Sequence, residues 1–119
     1  MFRRDALTET FVDADGCAPL LLRDAERQRL LLDEIVTTLE LHVVGQPQWF
    51  KFPGEGGVTG LYLLSESHLS IHTYPEWGLA TLNLYCCRPR PDFDWEGRLR
   101  TLLEAGSVSV RTVSRGLSP

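Results

Sequence analysis

The chain has 119 residues, 43% of them hydrophobic and 24% charged, which is typical of one globular domain over residues 1–119 and excludes a disordered chain. The formal net charge of −4 argues against a nucleic-acid partner, which would require clustered lysine and arginine. No apolar run approaches the ~18 residues of a membrane span, and no apolar segment follows the first basic residues as in a signal peptide, so we expect a cytoplasmic protein without a membrane partner.

The first third of the chain predicts a strand followed by a helix. Residues 10–13 (Thr-Phe-Val-Asp) have β-like composition, and Asp15-Gly16 is a turn signal that closes them. Asp24 is a plausible N-cap for a helix. The apolar residues of that helix recur at helical spacing and would lie on a sheet: Leu31, Ile35, Val36 and Leu39.

Strand patterns dominate the rest of the chain. Alternating runs predict strands over residues 40–45, 48–52, 58–64, 69–73, 79–87 and 107–113. Residues 53–57, which include three glycines, predict a loop. A second helix, capped by Asp92 or Asp94, would run from Trp95 to Leu103. This order predicts an α+β fold, a two-layer α/β sandwich in which an antiparallel sheet carries two helices on one face.

Strand periodicity also sorts side chains by face. His68, Ser70 and His72 share one face of their strand, and Leu69 and Ile71 take the other. In the next strand, the polar positions end at Cys87, opposite an apolar set that ends at Cys86. We therefore expect two histidines and a cysteine on the sheet face that the helices leave open, where a site or a dimer partner would lie.

The three cysteines indicate reduced thiols. Cys17, Cys86 and Cys87 lack the Cys-x-x-Cys spacing of a metal site, so we expect no metal. Adjacent cysteines bridge poorly, and an odd count in an unsecreted chain favours free thiols. Cys86 is expected in the core, whereas Cys87 could be either a packed thiol or a group that takes part in chemistry.

One run carries most of the functional information: Ser65-Glu66-Ser67-His68-Leu69-Ser70-Ile71-His72-Thr73-Tyr74-Pro75-Glu76. It resembles the self-cleavage site of the small prokaryotic S-adenosylmethionine decarboxylases, in which a Glu-Ser bond breaks and the serine becomes a pyruvoyl group. The resemblance implies cleavage between Glu66 and Ser67, into a β chain of residues 1–66 and an α chain of residues 67–119. A chain that makes its own carbonyl cofactor from Ser67 needs no vitamin and no metal.

Cleavage of a Glu-Ser bond has definite chemical requirements. The Ser67 hydroxyl must attack the carbonyl carbon of Glu66, and a base must then remove the α-proton of residue 67. A positioned hydroxyl or amide has to stabilise the oxyanion, and a histidine has to transfer protons. The candidates for these two tasks are the Thr59 hydroxyl and His72.

The resemblance assigns the remaining site residues. The segment Gly57-Val58-Thr59-Gly60 is similar to a Gly-Val-Ser-Gly motif of the family, which implies that Thr59 assists processing. His72 falls on the family's processing histidine, and Cys87 falls on its proton-donating cysteine. Glu76 falls on the glutamate that holds the substrate ribose, and Phe52 falls near an aromatic residue that stacks on adenine.

The implied activity is decarboxylation of S-adenosylmethionine, which supplies aminopropyl groups for spermidine synthesis. A pyruvoyl group derived from Ser67 would form a Schiff base with the substrate amine and accept the electrons left by carbon dioxide. Cys87 would return a proton to the product, since a thiol can give and recover a proton near neutral pH. The resemblance also implies a homodimer or a higher oligomer.

Two other interpretations remain open. Asn83 stands where the family usually has aspartate, and Arg88 replaces its usual glycine. Together with the loose match at Phe52, these departures motivate a pyruvoyl-dependent arginine or ornithine decarboxylase on the same scaffold. A third interpretation is an unprocessed, non-catalytic relative that binds a partner or regulates an active paralogue. Any one site residue is more often structural, and the joint spacing is what favours the decarboxylase.

Overall fold

The computed structural model describes residues 4–116, which form a six-stranded antiparallel sheet with helices packed on one face. The strands are β1 (Thr8–Asp15), β2 (Gln48–Lys51), β3 (Val58–Leu63), β4 (His68–Tyr74), β5 (Leu79–Cys86) and β6 (Ser107–Ser114). The helices are α1 (Pro19–Leu22), α2 (Ala25–Thr38) and α3 (Trp95–Leu103). Across the sheet the order is β2-β3-β4-β5-β1-β6, and every neighbouring pair is antiparallel.

Hydrogen bonds at both ends fix the limits of α2. Asp24 caps its N-terminus, as predicted, and its carboxylate accepts a hydrogen bond from the Arg27 backbone N–H at 3.2 Å. At the other end Glu40 takes a left-handed conformation with a φ of 56°. The Leu41 N–H then donates to the Val36 carbonyl at 2.9 Å, which is the closing bond of a Schellman motif.

The predicted strand over residues 40–45 is wrong, and this helix end is the reason. Leu41 is buried because it follows the left-handed residue and makes the hydrophobic contact that accompanies a Schellman motif. Val43 forms only an isolated bridge with Leu64. The apolar alternation in this segment therefore comes from the end of a helix and one bridge, and not from a paired strand.

The other helices differ from expectation in detail. The four-residue α1 was not predicted; it begins at Pro19, a residue that suits the first helical position. Helix α3 is capped by Asp94 and not by Asp92, since its carboxylate accepts from the Gly97 N–H at 3.0 Å. Among the helices described between residues 4 and 116, none has both the length and the apolarity to cross a bilayer.

The core lies between the helices and one face of the sheet. Along β4, Leu69 and Ile71 are buried, whereas His68, Ser70 and His72 point to the other face, as predicted. The apolar face of β5 is buried from Ala80 to Cys86. The helices contribute a matching set of buried side chains: Leu31, Leu32, Ile35, Leu99, Leu102 and Leu103. The predicted α+β two-layer architecture is therefore confirmed.

The opposite face of the sheet is open within the described chain. Leu61 and Leu63 in β3 point to this face and are 47% and 59% exposed. Phe50 of β2 pairs with Thr59 of β3, so it lies on the same face, and it is 56% exposed. This face therefore combines the polar side chains of β4 and β5 with exposed apolar ones.

Candidate active site

The Glu66–Ser67 bond lies in the tight turn between β3 and β4. The Leu64 N–H donates to the Ser67 carbonyl at 3.0 Å, and the Ser67 N–H donates to the Leu64 carbonyl at 3.5 Å. Two residues, Ser65 and Glu66, therefore form the tip of the hairpin. The Ser67 Oγ is buried and has no hydrogen-bond partner within the described residues. A buried hydroxyl without a partner costs free energy, so it is a candidate for a functional group.

The carbonyl of Glu66 is held by a thiol. Cys87 Sγ donates a hydrogen bond to the Glu66 carbonyl oxygen at 2.8 Å. The sheet register explains the contact. His68 pairs with Tyr85 in the antiparallel pair β4–β5, so Glu66, two residues before His68, faces Cys87, two residues after Tyr85. Burial, and then the nearby Glu66 carboxylate, raise the pKa of Cys87, so the group stays a protonated donor at neutral pH. Sequence reasoning missed this contact with the Glu66 carbonyl.

The side chain of Glu66 is held separately by two arginines. Its Oε1 lies 2.9 Å from Arg88 Nε and 2.5 Å from Arg90 Nη2, and Ser65 Oγ donates to its Oε2. The Ser65 hydrogen bond, followed by the Arg88 and Arg90 charges, holds the pKa of Glu66 below its usual range. Arg88 appeared in the sequence only as a departure from the family motif. One signal in the sequence could have revealed this cluster. Arg88 directly follows Cys87, and the pairing of β4 with β5 places Cys87 opposite Glu66.

Thr59 and His72 form the second polar group of the open face. They are paired in register between β3 and β4, and Thr59 Oγ1 lies 3.1 Å from His72 Nδ1. The neighbouring Thr73 secures this end of the strands, because its hydroxyl accepts from the Val58 N–H at 2.9 Å and donates to the Leu22 carbonyl at 2.8 Å. A hydroxyl and an imidazole are therefore preorganised on one surface.

The two glycines that flank Val58 and Thr59 are required by close packing. A Cβ on Gly57 would lie 2.6 Å from the Thr73 carbonyl oxygen, and one on Gly60 would lie 2.5 Å from the Trp49 ring. Neither distance is compatible with a side chain. The glycines of the Gly57-Val58-Thr59-Gly60 segment therefore allow the backbone on either side of Val58 and Thr59 to approach the Thr73 carbonyl and the ring of Trp49 closely.

A cavity of about 670 Å³ opens beside Thr59 and His72. That volume is within the usual range of ligand pockets. Its lining includes two further residues assigned from the sequence, Phe52 just after β2 and Glu76 in the turn after β4. Trp77, which also lines the cavity, is 67% exposed and stacks on Tyr74 with 5.3 Å between ring centres. The structure thus adds two aromatic rings to the predicted binding residues.

The predicted site residues form two groups that do not meet within one chain. Glu66, Ser67 and Cys87 lie at the hairpin, whereas Thr59 and His72 line the cavity. His72 is five residues after Ser67 along β4, and at ~3.3 Å per residue the two are about 16 Å apart. A general base must come within hydrogen-bond reach of its proton, so His72 cannot serve the Ser67 of its own chain.

His68, next to the Glu66–Ser67 bond, is oriented by a chain of hydrogen bonds. Asn83 Nδ2 donates to Glu9 Oε2 at 2.8 Å, and Arg115 Nη1 donates to Glu9 Oε1 at 2.5 Å. Because the Glu9 carboxylate can only accept, the Asn83 amide oxygen is directed at His68, whose Nε2 lies 3.0 Å away and donates to it. The hydrogen bond from Asn83, and then Arg115, holds the pKa of Glu9 low despite its partial burial.

The fold and this geometry define a two-layer α+β protein with a glutamyl-seryl hairpin held by a thiol and a separate hydroxyl–imidazole pair beside a ligand-sized cavity. A sequence model of the S-adenosylmethionine decarboxylase family matches residues 8–116. The chain therefore belongs to the S-adenosylmethionine decarboxylase family.

Individual relatives agree with this assignment. The S-adenosylmethionine decarboxylase proenzyme of Pyrococcus abyssi is 37% identical over 81 residues, which cover 68% of this chain and 57% of that protein. The proenzyme of Archaeoglobus fulgidus is 42% identical over 72 residues, which cover 60% of this chain and 62% of that one. The matched regions thus span less than two thirds of these relatives.

The fold is also similar to a solved structure. The crystal structure of the adenosylmethionine decarboxylase from Aquifex aeolicus superposes with a TM-score of 0.74 at 28% identity. The superposition covers 95% of this chain and 92% of that one, so the likeness extends over nearly the full length of both.

Proposed function

We propose that this chain is a proenzyme that cleaves itself between Glu66 and Ser67 and then decarboxylates S-adenosylmethionine for spermidine synthesis. The observation that carries the proposal is the arrangement at the hairpin. The buried Ser67 hydroxyl has no partner in the described chain, and the Cys87 thiol already donates to the adjoining carbonyl oxygen of Glu66. A free nucleophile beside a polarised carbonyl is the starting point of an acyl shift.

Cleavage proceeds through an ester and then a dehydroalanine. Ser67 Oγ bonds to the Glu66 carbonyl carbon, the C–N bond breaks, and the nitrogen of residue 67 leaves as an amine, giving an ester. A base removes the α-proton of residue 67, the Cβ–O bond breaks, and Glu66 departs with a free carboxylate. The dehydroalanine that remains takes up one water and releases ammonia, which leaves a pyruvoyl group at the start of chain 67–119.

Thr59 and His72 take part in this cleavage from a second copy of the chain. The hydroxyl–imidazole pair lies on the open sheet face, and the hairpin lies just before the start of the same strand, about 16 Å away. A twofold axis between them would bring each copy's Thr59 and His72 to the other copy's Ser67. The exposed apolar side chains of the same face, Leu61 and Leu63, support such a homodimer.

The processed site suits decarboxylation of an amino acid. The pyruvoyl group supplies a carbonyl that serves as the electron sink for loss of carbon dioxide. Cys87 keeps its proton at neutral pH because burial raises its pKa, so it can donate that proton to the product carbon. In the cavity, the Glu76 carboxylate would accept hydrogen bonds from ribose hydroxyls, and Phe52 with Trp77 would stack on adenine.

The contacts of Asn83 and Arg88 weaken the case for arginine or ornithine as the substrate. Arginine or ornithine was considered because Asn83 and Arg88 depart from the family pattern. Asn83 bridges His68 to Glu9, and Arg88 pairs with Glu66, so neither belongs to the lining of the cavity that holds Phe52 and Glu76. The departures at Asn83 and Arg88 therefore lie outside the proposed binding pocket, where only the loose match at Phe52 is found, and this favours S-adenosylmethionine.

The proposal is tested by carbon dioxide release from carboxyl-labelled substrates. We expect release from S-adenosylmethionine, and neither from arginine nor from ornithine, with Ser67→Ala as the inactive control. Borohydride reduction in the presence of each substrate, followed by mass analysis, should trap an adduct on the 67–119 chain with S-adenosylmethionine alone. Release from arginine or ornithine instead would refute the substrate assignment, and release by Ser67→Ala would refute the pyruvoyl mechanism.

A further inference from the structure

Glu66 is held more firmly than a hairpin turn requires. A carboxylate at the tip of a surface turn is normally solvated by water, yet the Glu66 side chain is only 4% exposed. It is instead solvated by the guanidinium groups of Arg88 and Arg90, at 2.9 and 2.5 Å, together with the Ser65 hydroxyl. Charge-assisted hydrogen bonds of this kind fix both distance and direction.

The two arginines connect the turn to the rest of the fold. Arg90 is itself largely buried, with 16% of its side chain exposed, and its Nη1 donates to the Glu40 carbonyl at 2.9 Å. That carbonyl belongs to the Schellman end of α2, so Arg90 joins the hairpin to the helix layer. Arg88 follows Cys87 directly, and Cys87 holds the carbonyl oxygen of Glu66. The segment 87–90 thus restrains Glu66 at both its carbonyl and its carboxylate.

We infer that Arg88 and Arg90 are positioning residues for self-cleavage, which clamp Glu66 so that its carbonyl carbon stays in line with the Ser67 hydroxyl. The inference rests on the proposed function. Intramolecular attack depends on alignment of the reacting atoms, and small displacements are costly in rate. Both arginines bind the Glu66 carboxylate, which takes no part in the acyl shift, so they would act through the Glu66 side chain. The unusual Arg88 then has a role in processing and not in substrate choice.

The clamp is tested by the rate at which the 67–119 fragment appears after cell-free synthesis, followed by intact mass. The variants are Arg90→Gln, Arg90→Lys, Arg88→Gln and Glu66→Gln. The matched control is Arg98→Gln, because Arg98 Nε makes an equally short 2.5 Å pair with Glu34 between α3 and α2. Thermal melting of each protein separates loss of stability from loss of alignment.

We expect Arg90→Gln to slow cleavage by about tenfold to a hundredfold. Arg90→Lys should recover part of the rate, because it keeps the charge but loses the planar fork. When Glu66 is already replaced by Gln, Arg90→Gln should cause little further loss of cleavage rate. The control Arg98→Gln, made in the wild-type protein, should cleave at the wild-type rate. If Arg90→Gln does not fold, Arg88→Gln tests the same clamp, since that side chain is 43% exposed.

Cleavage of Arg88→Gln and Arg90→Gln at the wild-type rate would overturn the clamp and leave the proposed function intact. Equal slowing in Arg98→Gln would also overturn it, because the effect would then be one of general stability. A wild-type protein that never cleaves would overturn the proposed function itself, so the two failures are distinguishable.

Discussion

Two variants that are each inactive alone should, when mixed, restore cleavage of one of the two chains. Ser67→Ala lacks the nucleophile but keeps Thr59 and His72, whereas His72→Ala has the nucleophile and lacks the proton-transfer group. Ser67 and His72 of one chain are separated by about 16 Å along β4, which is too far for a direct proton transfer. A site completed by a second copy is therefore re-formed once in each mixed dimer.

The size of the effect follows from the pairing. Removal of a histidine that acts as a general acid or base costs about a hundredfold to ten-thousandfold in rate, so His72→Ala alone should remain almost uncleaved. With equal amounts of the two variants and random pairing, about half of the His72→Ala chains enter mixed dimers and can be cleaved. No Ser67→Ala chain should be cleaved in any mixture.

The assay is co-expression of the two variants with tags of different mass, followed by intact mass analysis of both chains. A 67–119 fragment that derives from the His72→Ala chain alone is the expected result. Absence of this fragment in the mixture, although mixed dimers are isolated through both tags, would refute the shared site. Rapid cleavage of His72→Ala by itself would refute the role of the imidazole.

The further predictions concern three residues, Cys87, Trp77 and Gly60. Cys87→Ser should cleave but turn over S-adenosylmethionine slowly, whereas Cys87→Ala should also cleave about tenfold more slowly because it loses the donor to Glu66. Since the pKa of Cys87 is raised, its thiol should keep donating to Glu66 through neutral pH and lose its proton only above the ordinary range of a thiol, so wild-type cleavage should fall there and Cys87→Ser should lack this alkaline fall. Trp77→Ala should raise KM up to about tenfold with unchanged cleavage, and an unchanged KM would remove the ring from the binding site. Gly60→Ala should lower the free energy of unfolding by about 1–3 kcal/mol because its Cβ meets Trp49, and an unchanged denaturation midpoint would contradict this packing.

Much of the fold could be predicted because local signals agreed with tertiary packing. The Asp24 cap and the alternation of Leu69 and Ile71 each determine an element or a face without reference to distant residues. Residues 40–45 failed because a hydrophobic residue after a left-handed helix end produces the same short alternation as a strand. An alternation that lasts only a few residues cannot distinguish a strand from a helix end.

The candidate site was predictable in part for a similar reason. Strand alternation alone places His72 on the open face, and hairpin pairing then brings Thr59 opposite it. Ser67 and His72 belong to one sequence motif, but the extended strand β4 that follows Ser67 separates them by about 16 Å. The contact of Arg90 with Glu66 joins residues 24 positions apart, and it depends on the path of the chain after β5.

The central claim is that the backbone rearranges between residues 66 and 67, and intact mass of the purified wild-type protein tests it most directly. The account predicts two chains, residues 1–66 and 67–119, the second beginning with a carbonyl group that hydrazine reagents label. One unbroken chain after prolonged incubation, with no hydrazine label, would contradict it.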